Sequence, residues 1–335
     1  MEDVYYLVNP SRQDWIYNSF LLKEKTLKQF GVHTYVDSKS RPINLCIEED
    51  NIEMRIESED KILEVVFAES PYYKDRADEK MLYTFVKSKH KMGIIHPRVY
   101  RPFLQDNLVA HTPITMGNVI FNSCDVKKNI YPPCDRTDMF SSINQLHILI
   151  ENLKSIFLTI HPAKENFNAY GHNIRNLLIL ACTEVESQFR GILKENGCSK
   201  KTYNTKDFVK LLEPLRLNTY TMKLVYYPLI NKINPFFYWE NEKPTESLSW
   251  YKNYNAVKHN RAVEFNKGTL KDVILAISAV AILIFAQYGD RVFEEDPLFN
   301  HFLELTYIPK WEISDYYIPP HRENEWKIQG YFENC

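Results

Sequence analysis

Glycine is scarce in this chain, and the glycine-rich motifs of nucleotide sites are missing. Nine of the 335 residues are glycine, well below the usual share of roughly 7%. The sequence contains neither GxGxxG nor GxxxxGK[ST]. Both motifs use glycine so that the backbone can approach phosphate groups. The sequence therefore argues against a Rossmann-type or P-loop site.

The cysteines form no metal-binding or disulfide pattern. The six cysteines include no CxxC pair, which is typical of reduced thiols in an intracellular protein and disfavours zinc. The N-terminal stretch MEDVYYLVNP carries acid instead of the basic start of a secretory signal. We therefore expect a cytoplasmic protein with no metal site and no cofactor.

An excess of positive charge and a long apolar run are also missing. Lys and Arg number 41 against 43 Asp and Glu, for a formal charge of −2, so any basic site must be local. The most apolar segment, Val273 to Ala286, is 14 residues long, whereas a membrane span needs about 20. This segment is predicted to be a buried core helix, with no membrane partner.

The first 135 residues have the pattern of a β-rich domain of unassigned role. Short β-branched and aromatic runs separated by turn residues indicate strands. The predicted strands are 4–8, 43–47, 52–56, 62–67 and 119–121, with a hairpin turn at 58–61. Two helices are predicted within this half, near 13–30 and 75–89. A linker is predicted at 129–135, where paired prolines resist regular structure.

Residues 138–295 have long helical periodicities. Apolar residues recur every three to four positions, as expected for helices with one buried face. The predicted helices are 139–160, 167–196 (ended by Gly197), 205–213, 246–261 and 270–292. Residues 296–335 are predicted to form a C-terminal extension with short β-like pieces that packs on the helical bundle. The fold class is therefore predicted to be α+β.

The segment SLSWYKNYNAVKHNR has two different helix faces. At about 100° per residue, Trp250, Tyr254 and Val257 share one face. Lys252, Asn255 and His259 share another at spacings of three and four. The first face is predicted to be buried, whereas the second gathers a cation, an amide and an imidazole.

That second face suits the phosphodiester chemistry of RNA. A neutral imidazole, here His259, can accept a proton from a ribose 2′-hydroxyl or donate one to the leaving oxygen. Lys252 and Asn255 would stabilise charge on the phosphate oxygens. Lys258, Arg261 and Arg175 are predicted to hold the phosphate backbone. The alternative is a solvated helix surface with no ligand.

Two segments resemble the HEPN superfamily of small helical bundles. They are HNIRNLLILACTEVESQFRGIL and WYKNYNAVKHNRAVEF, followed by an apolar terminal helix, and the resemblance covers about residues 138–295. It implies a metal-independent endoribonuclease, of the kind found in prokaryotic toxin and anti-phage systems, that works as a homodimer with a composite site. His259 matches the histidine of the family's Arg-x4-6-His signature.

The arginine of that signature is not present at the family's spacing. Lys252, Asn253 and Tyr254 stand at the three positions where it would fall, and lysine cannot make the bidentate contact of a guanidinium. Two functions therefore stay open. The first is an RNA-directed effector that cleaves RNA. The alternative is a non-catalytic module of such a system that binds RNA, a nucleotide phosphate or a protein partner, as a sensor or scaffold.

Overall fold

The computed structural model describes residues 2–36, 42–104, 135–296, 298–321 and 324–332. Its α-helices and β-strands, in chain order, are β1 (Asp3–Asn9), β2 (Arg12–Lys23), β3 (Thr26–Val36), β4 (Pro42–Arg55), α1 (Ile62–Glu69), β5 (Thr84–Lys87), β6 (Ile94–Ile95), α2 (Arg136–Phe157), α3 (His172–Glu195), α4 (Thr205–Phe208), β7 (Thr221–Leu224), α5 (Ser249–His259), α6 (Arg261–Glu264), α7 (Leu270–Tyr288), α8 (Arg291–Glu295), β8 (Leu303–Tyr307) and β9 (Lys327–Ile328). The predicted α+β class is confirmed.

The chain forms two compact units. The first comprises residues 1–95, 101–133 and 310–329, and the second comprises 96–100, 134–309 and 330–335. The predicted strand at 119–121 and most of the predicted linker at 129–135 lie outside the described residues.

The first unit is built on an antiparallel sheet in the order β4-β3-β2-β1-β5. Successive residues of a strand point to opposite faces, and both faces are covered. Tyr6 and Val8 belong to one core cluster, whereas Tyr5 and Leu7 belong to the other.

The helix predicted near 13–30 is wrong, because β2 and β3 form a hairpin there. Lys23 pairs with Thr26, and the two loop residues Glu24 and Lys25 have φ values of 48° and 67°. Positive φ at both loop positions is the geometry of a type I′ turn, which is usually formed by Asn-Gly or Asp-Gly. Glu-Lys gives no such signal in the sequence.

The predicted hairpin at 58–61 is also wrong, since α1 follows β4 there. Ile62, Val66 and Phe67 of α1 are buried in one core cluster of the sheet, and this spacing suits one helix face. The helix predicted at 75–89 is wrong for Thr84–Lys87, which is strand β5 preceded by a 3-10 segment, Lys74–Leu82.

The tail also contributes to this unit. Trp311, Ile313, Tyr316 and Ile318 are buried in the same cluster as Tyr6, and β9 pairs in parallel with β6. Residues 310–329 thus differ from the expectation that the whole extension packs on the helical bundle. Strand β8 does belong to the second unit, where it pairs with β7.

The second unit is a helical bundle around α7. This helix packs against α2, α3 and α5. It is long and apolar enough to cross a membrane, because its most apolar 18-residue stretch has a mean hydropathy of 2.0. However, 89% of that stretch is buried inside the protein. The core helix of a bundle can meet the same criteria, and the predicted burial of this segment is confirmed.

Helix α3 ends in a Schellman motif. Gly197 has φ +92°, and the Cys198 amide donates to the carbonyl of Leu193 at 2.8 Å, as that motif requires. The predicted stop at Gly197 is therefore confirmed. Cys198 is disulfide-bonded, so the expectation that all six cysteines are reduced is wrong for this residue, whereas Cys182 is a free, buried thiol.

Candidate functional site

Helix α5 presents the two faces that its sequence predicts. Trp250, Tyr254 and Val257 are each at most 1% exposed and belong to the bundle core. Lys252 and His259 are exposed, and Asn255 is half-buried. Burial of the aromatic face fixes the rotation of the helix, so the polar residues are directed away from the core.

The three positions where the HEPN arginine would fall have three different environments. Lys252 is exposed and forms an ion pair with Glu246. Asn253 donates to the Asp272 carboxylate at 3.0 Å, and Tyr254 is buried. Only Lys252 is therefore placed to meet a ligand, and its charge is already compensated by a neighbouring carboxylate.

Asp272 fastens α5 to the start of α7. Its carboxylate accepts from the Asn253 amide and from the hydroxyl of Thr269 at 2.8 Å, and Thr269 and Asp272 form the capping box of α7. Burial of Asp272 raises the pKa of its carboxyl, and these hydrogen bonds oppose the increase. This polar connection holds the middle of α5 in place beside the start of α7.

His259 is the last residue of α5. The backbone leaves the helix at Asn260, with φ −132° and ψ 59°, and re-enters a helix as α6 at Arg261. His259 and Arg261 are both exposed. Within the described part of the chain, the side chains of His259 and Asn255 make no hydrogen bond or ion pair, so the imidazole and the amide are available to a ligand.

Arg175 of α3 reaches this same end of α5. Its Nε and Nη2 donate to the backbone carbonyl of Val257 at 3.3 and 3.2 Å, and Nη1 donates to the side chain of Asn176 at 3.2 Å. The last carbonyls of a helix lack helical partners, and a cation is favourable there. The guanidinium is thereby bound to the carbonyl of Val257, which precedes His259 by two residues.

Lys258 is directed toward the α3 side of α5. Its Nζ donates to the Tyr254 hydroxyl at 2.6 Å and lies 4.8 Å from the centre of that ring. The hydrogen bond with Tyr254 raises the pKa of Lys258. Tyr251 donates to Glu186 of α3 at 2.7 Å nearby. Lys258 is therefore engaged by its own helix, whereas His259 is not.

The segment around His259 is locally basic. Residues 257–271 contain four Lys or Arg and one carboxylate, for a formal net charge of +3, in a chain whose total is −2. The carboxylate, Glu264, pairs with Lys267 at 2.6 Å. A local positive region of this kind suits a phosphate-containing ligand.

Three aromatic rings, those of Tyr170, His172 and Phe265, lie beside this basic segment. Phe265 lies 4.9 Å from the ring of His172 and 6.1 Å from the ring of Tyr170. Residues 170–172 and 265 meet because Tyr170 forms a β-bridge with Thr269. Sequence spacing cannot reveal this pairing, since nearly a hundred residues separate Tyr170 from Thr269.

Comparisons with known proteins give no relative. No protein-family model matched the chain, and neither a curated protein nor a solved structure showed significant similarity to it. Within the described residues, no three His, Cys, Asp or Glu side chains are grouped closely enough to hold a metal ion. The side chains gathered at the end of α5 are therefore the best indication of function.

Proposed function

We propose that this protein is an RNA-directed effector similar to HEPN proteins, and that the C-terminal end of α5 is a metal-independent endoribonuclease site. One observation carries this proposal. An exposed imidazole, His259, ends a helix whose last turn is held by the guanidinium of Arg175. An imidazole and a guanidinium at the same end of a helix are groups that together can cleave a ribose phosphodiester without a cofactor.

His259 would act as the general base. Its imidazole removes the proton of the ribose 2′-hydroxyl, and the 2′-oxygen then attacks the adjacent phosphorus. The bond from phosphorus to the 5′-oxygen breaks, and the leaving oxygen takes up a proton. The products are a 2′,3′-cyclic phosphate and a 5′-hydroxyl, so no water or redox partner is consumed.

Arg175 and Arg261 would stabilise the phosphate oxygens. A guanidinium carries five N–H donors, and Arg175 uses three of them on Val257 and Asn176, which leaves two for a ligand. Lys252 lies seven residues before His259, or about 10 Å along the helix axis, and is paired with Glu246. Arg175 is therefore a better candidate than Lys252 for the missing arginine, with Asn255 as an amide donor one turn before His259.

Purified protein incubated with single-stranded RNA in EDTA tests the catalytic role. We expect fragments with cyclic-phosphate ends from the wild type and none from His259→Ala. His301→Ala is the matched control, because His301 is another exposed histidine of the second unit. Unchanged cleavage by a folded His259→Ala protein would end the catalytic claim.

A second candidate function is RNA or nucleotide-phosphate binding without cleavage, as a sensor or scaffold of a toxin or anti-phage system that also binds a protein partner. It is favoured because Lys252 is paired with Glu246 and Lys258 is bonded to the Tyr254 hydroxyl. Fewer cations are therefore left to stabilise a transition state. In this case the protein would bind the RNA without cutting it, and a binding titration would show weaker binding as the salt concentration increases.

We propose that the effector is a cytoplasmic homodimer. A two-fold interface brings the same surface of each copy together, so two His259 residues in one cleft would supply both the base and the acid of the reaction. Light scattering combined with size exclusion measures the mass. A monomer at the concentration that supports cleavage would contradict this part of the proposal.

A further inference from the structure

The strongest feature outside the proposed catalytic groups is the aromatic cluster formed by Tyr170, His172 and Phe265. We infer that this aromatic cluster is a stacking site for an unpaired base of single-stranded RNA, next to the phosphate-binding end of α5. This inference rests on the proposed function and specifies its substrate as single-stranded.

The backbone around the aromatic cluster is fixed by contacts within the second unit. The Leu270 amide donates to the carbonyl of Ala169 at 2.9 Å, and the Lys271 amide donates to the carbonyl of Phe167 at 3.1 Å. Together with the bridge between Tyr170 and Thr269, these bonds tie the segment before α3 to the start of α7. The rings are therefore held on a rigid support, which lowers the entropic cost of binding.

The aromatic cluster is partly exposed. Phe265 contacts both of the other rings, with an interplanar angle of 52° to His172 and 83° to Tyr170. Tyr170 is 55% exposed, His172 is exposed and Phe265 is half-buried. Tyr170 therefore offers a large part of its aromatic surface to solvent, although aromatic surface is usually buried.

Cations flank the aromatic cluster on both of its chain segments. Arg175 follows His172 by three residues in α3, so the two lie on neighbouring turns of one helix face. Arg261 precedes Phe265 by four residues, and the intervening segment is helical. Aromatic side chains beside a positive backbone-binding surface are the combination that binds single-stranded nucleic acid.

Charge complementarity favours RNA over an apolar protein segment as the occupant. The segment 257–271 has a formal net charge of +3, and an apolar peptide would leave these charges without counter-charges. A nucleotide can stack its base on the rings while its phosphate pairs with the cations. In a duplex the bases are already stacked and paired, so an unpaired base is the appropriate ligand.

The test compares two oligonucleotides that cannot be cleaved. One is a 2′-O-methyl adenosine oligomer of about eight nucleotides, a length within the usual range of single-strand sites. The other has the same backbone but lacks its bases. We expect the wild type to bind the adenosine oligomer about 10-fold more tightly, within the range measured for stacking on one aromatic side chain. Tyr170→Ala should remove this preference, and Tyr170→Phe should keep it.

Tyr238→Ala is the control, because Tyr238 is a 78% exposed aromatic residue elsewhere in the same unit. Equal binding of the two oligomers by the wild type, no binding of either, or an unchanged preference in Tyr170→Ala would overturn the inference. Cleavage is scored separately with His259→Ala. Loss of the base preference with cleavage retained would contradict the stacking site alone. A base preference without cleavage would contradict the ribonuclease proposal alone.

Discussion

The guanidinium of Arg175 and the backbone carbonyl of Val257 join α3 to the last turn of α5 by two hydrogen bonds, at 3.3 and 3.2 Å. The two residues are 82 positions apart in the sequence. Through this contact, an arginine far from residues 252–259, where the Arg-x4-6-His signature would lie, is placed at the end of the helix that carries His259.

Arg175→Lys should weaken this connection. A lysine is a point charge and cannot donate two N–H groups to one carbonyl in the same geometry, so we expect a loss of about 1 kcal/mol in the free energy of unfolding. RNA binding should weaken in the same variant. Urea denaturation and a binding titration measure the two effects. Arg190→Lys on the same helix is the control, since Arg190 is exposed and lies 4.0 Å from Glu186, a kind of pair that contributes little.

Arg261→Ala and Lys252→Ala should have different effects on RNA binding. Arg261 is exposed and has no ion-pair partner within the described residues, so its removal should weaken binding and reduce the slope of log affinity against log salt by about 1. Lys252 is paired with Glu246, and its removal should change the slope less. Titrations at several salt concentrations give both slopes. A larger loss of RNA affinity in Lys252→Ala than in Arg261→Ala would contradict this prediction and indicate that Lys252 contacts the RNA.

Gly191→Ala should destabilise the second unit, although alanine normally stabilises a helix interior. A Cβ at this position would lie 2.2 Å from Nη1 of Arg98. The Arg98 side chain is 10% exposed and is held by Asp138, Glu195 and Gln287. Movement of the guanidinium would break these contacts, and we expect a cost of about 1–3 kcal/mol.

A double-mutant cycle isolates this steric effect. In an Arg98→Ala background, Gly191→Ala should cost nothing or should stabilise the helix, because the blocking guanidinium is gone. Thermal or urea unfolding of the four proteins gives the coupling energy. Equal effects of Gly191→Ala in both backgrounds would show that the close approach to Arg98 is not the cause.

Asp290 should make the stability of the second unit depend on pH. Burial raises the pKa of its carboxyl, whereas the hydrogen bond from the Tyr100 hydroxyl, at 3.2 Å, opposes this increase. The folded state then holds a proton that the unfolded state releases above about pH 4. The contribution of Asp290 to stability is therefore largest at low pH and is lost as pH rises through the folded-state pKa.

Denaturation of the wild type and Asp290→Asn at several pH values checks this sign. The free energy of unfolding of the wild type, relative to that of the variant, should fall as pH increases from about 4. Asp75→Asn, at an exposed position of the first unit, serves as the control. A difference that stays constant or grows with pH would contradict the assigned burial of Asp290.

Ile318→Ala should destabilise the first unit strongly. Ile318 is fully buried in a core cluster of the sheet, and truncation of such a side chain costs about 2–5 kcal/mol. Ile328→Ala, in the same tail, is the matched control because Ile328 is 61% exposed. Calorimetric unfolding measures both. Equal, small effects would mean that the tail does not complete this core.

The sequence predicted the helical unit better than the sheet unit. The buried face of α5, the burial of α7 and the stop of α3 at Gly197 all follow from local patterns, and all are present. The hairpin at Glu24 and Lys25 was missed because its residues are not the usual ones for a type I′ turn. Helix α1 was taken for a strand because a short apolar run fits either structure.

For the candidate site, the sequence predicted a set of residues but not their partners. It selected His259, Lys252, Asn255, Lys258, Arg261 and Arg175 from helical spacing and residue chemistry. Spacing could not show that Lys252 pairs with Glu246 or that Lys258 lies over the ring of Tyr254. It also gave no sign that Tyr170 and Phe265 share a cluster.

The sequence by itself determined the α+β class and which face of each long helix is buried, because the burial pattern of a helix repeats with its own turn and is recorded locally in the chain. Only the tertiary structure decided which polar groups meet. Arg175 reaches Val257, and Ile318 reaches the sheet, through packing between segments far apart in sequence. Such pairings depend on how whole elements pack against one another, and no local repeat encodes them.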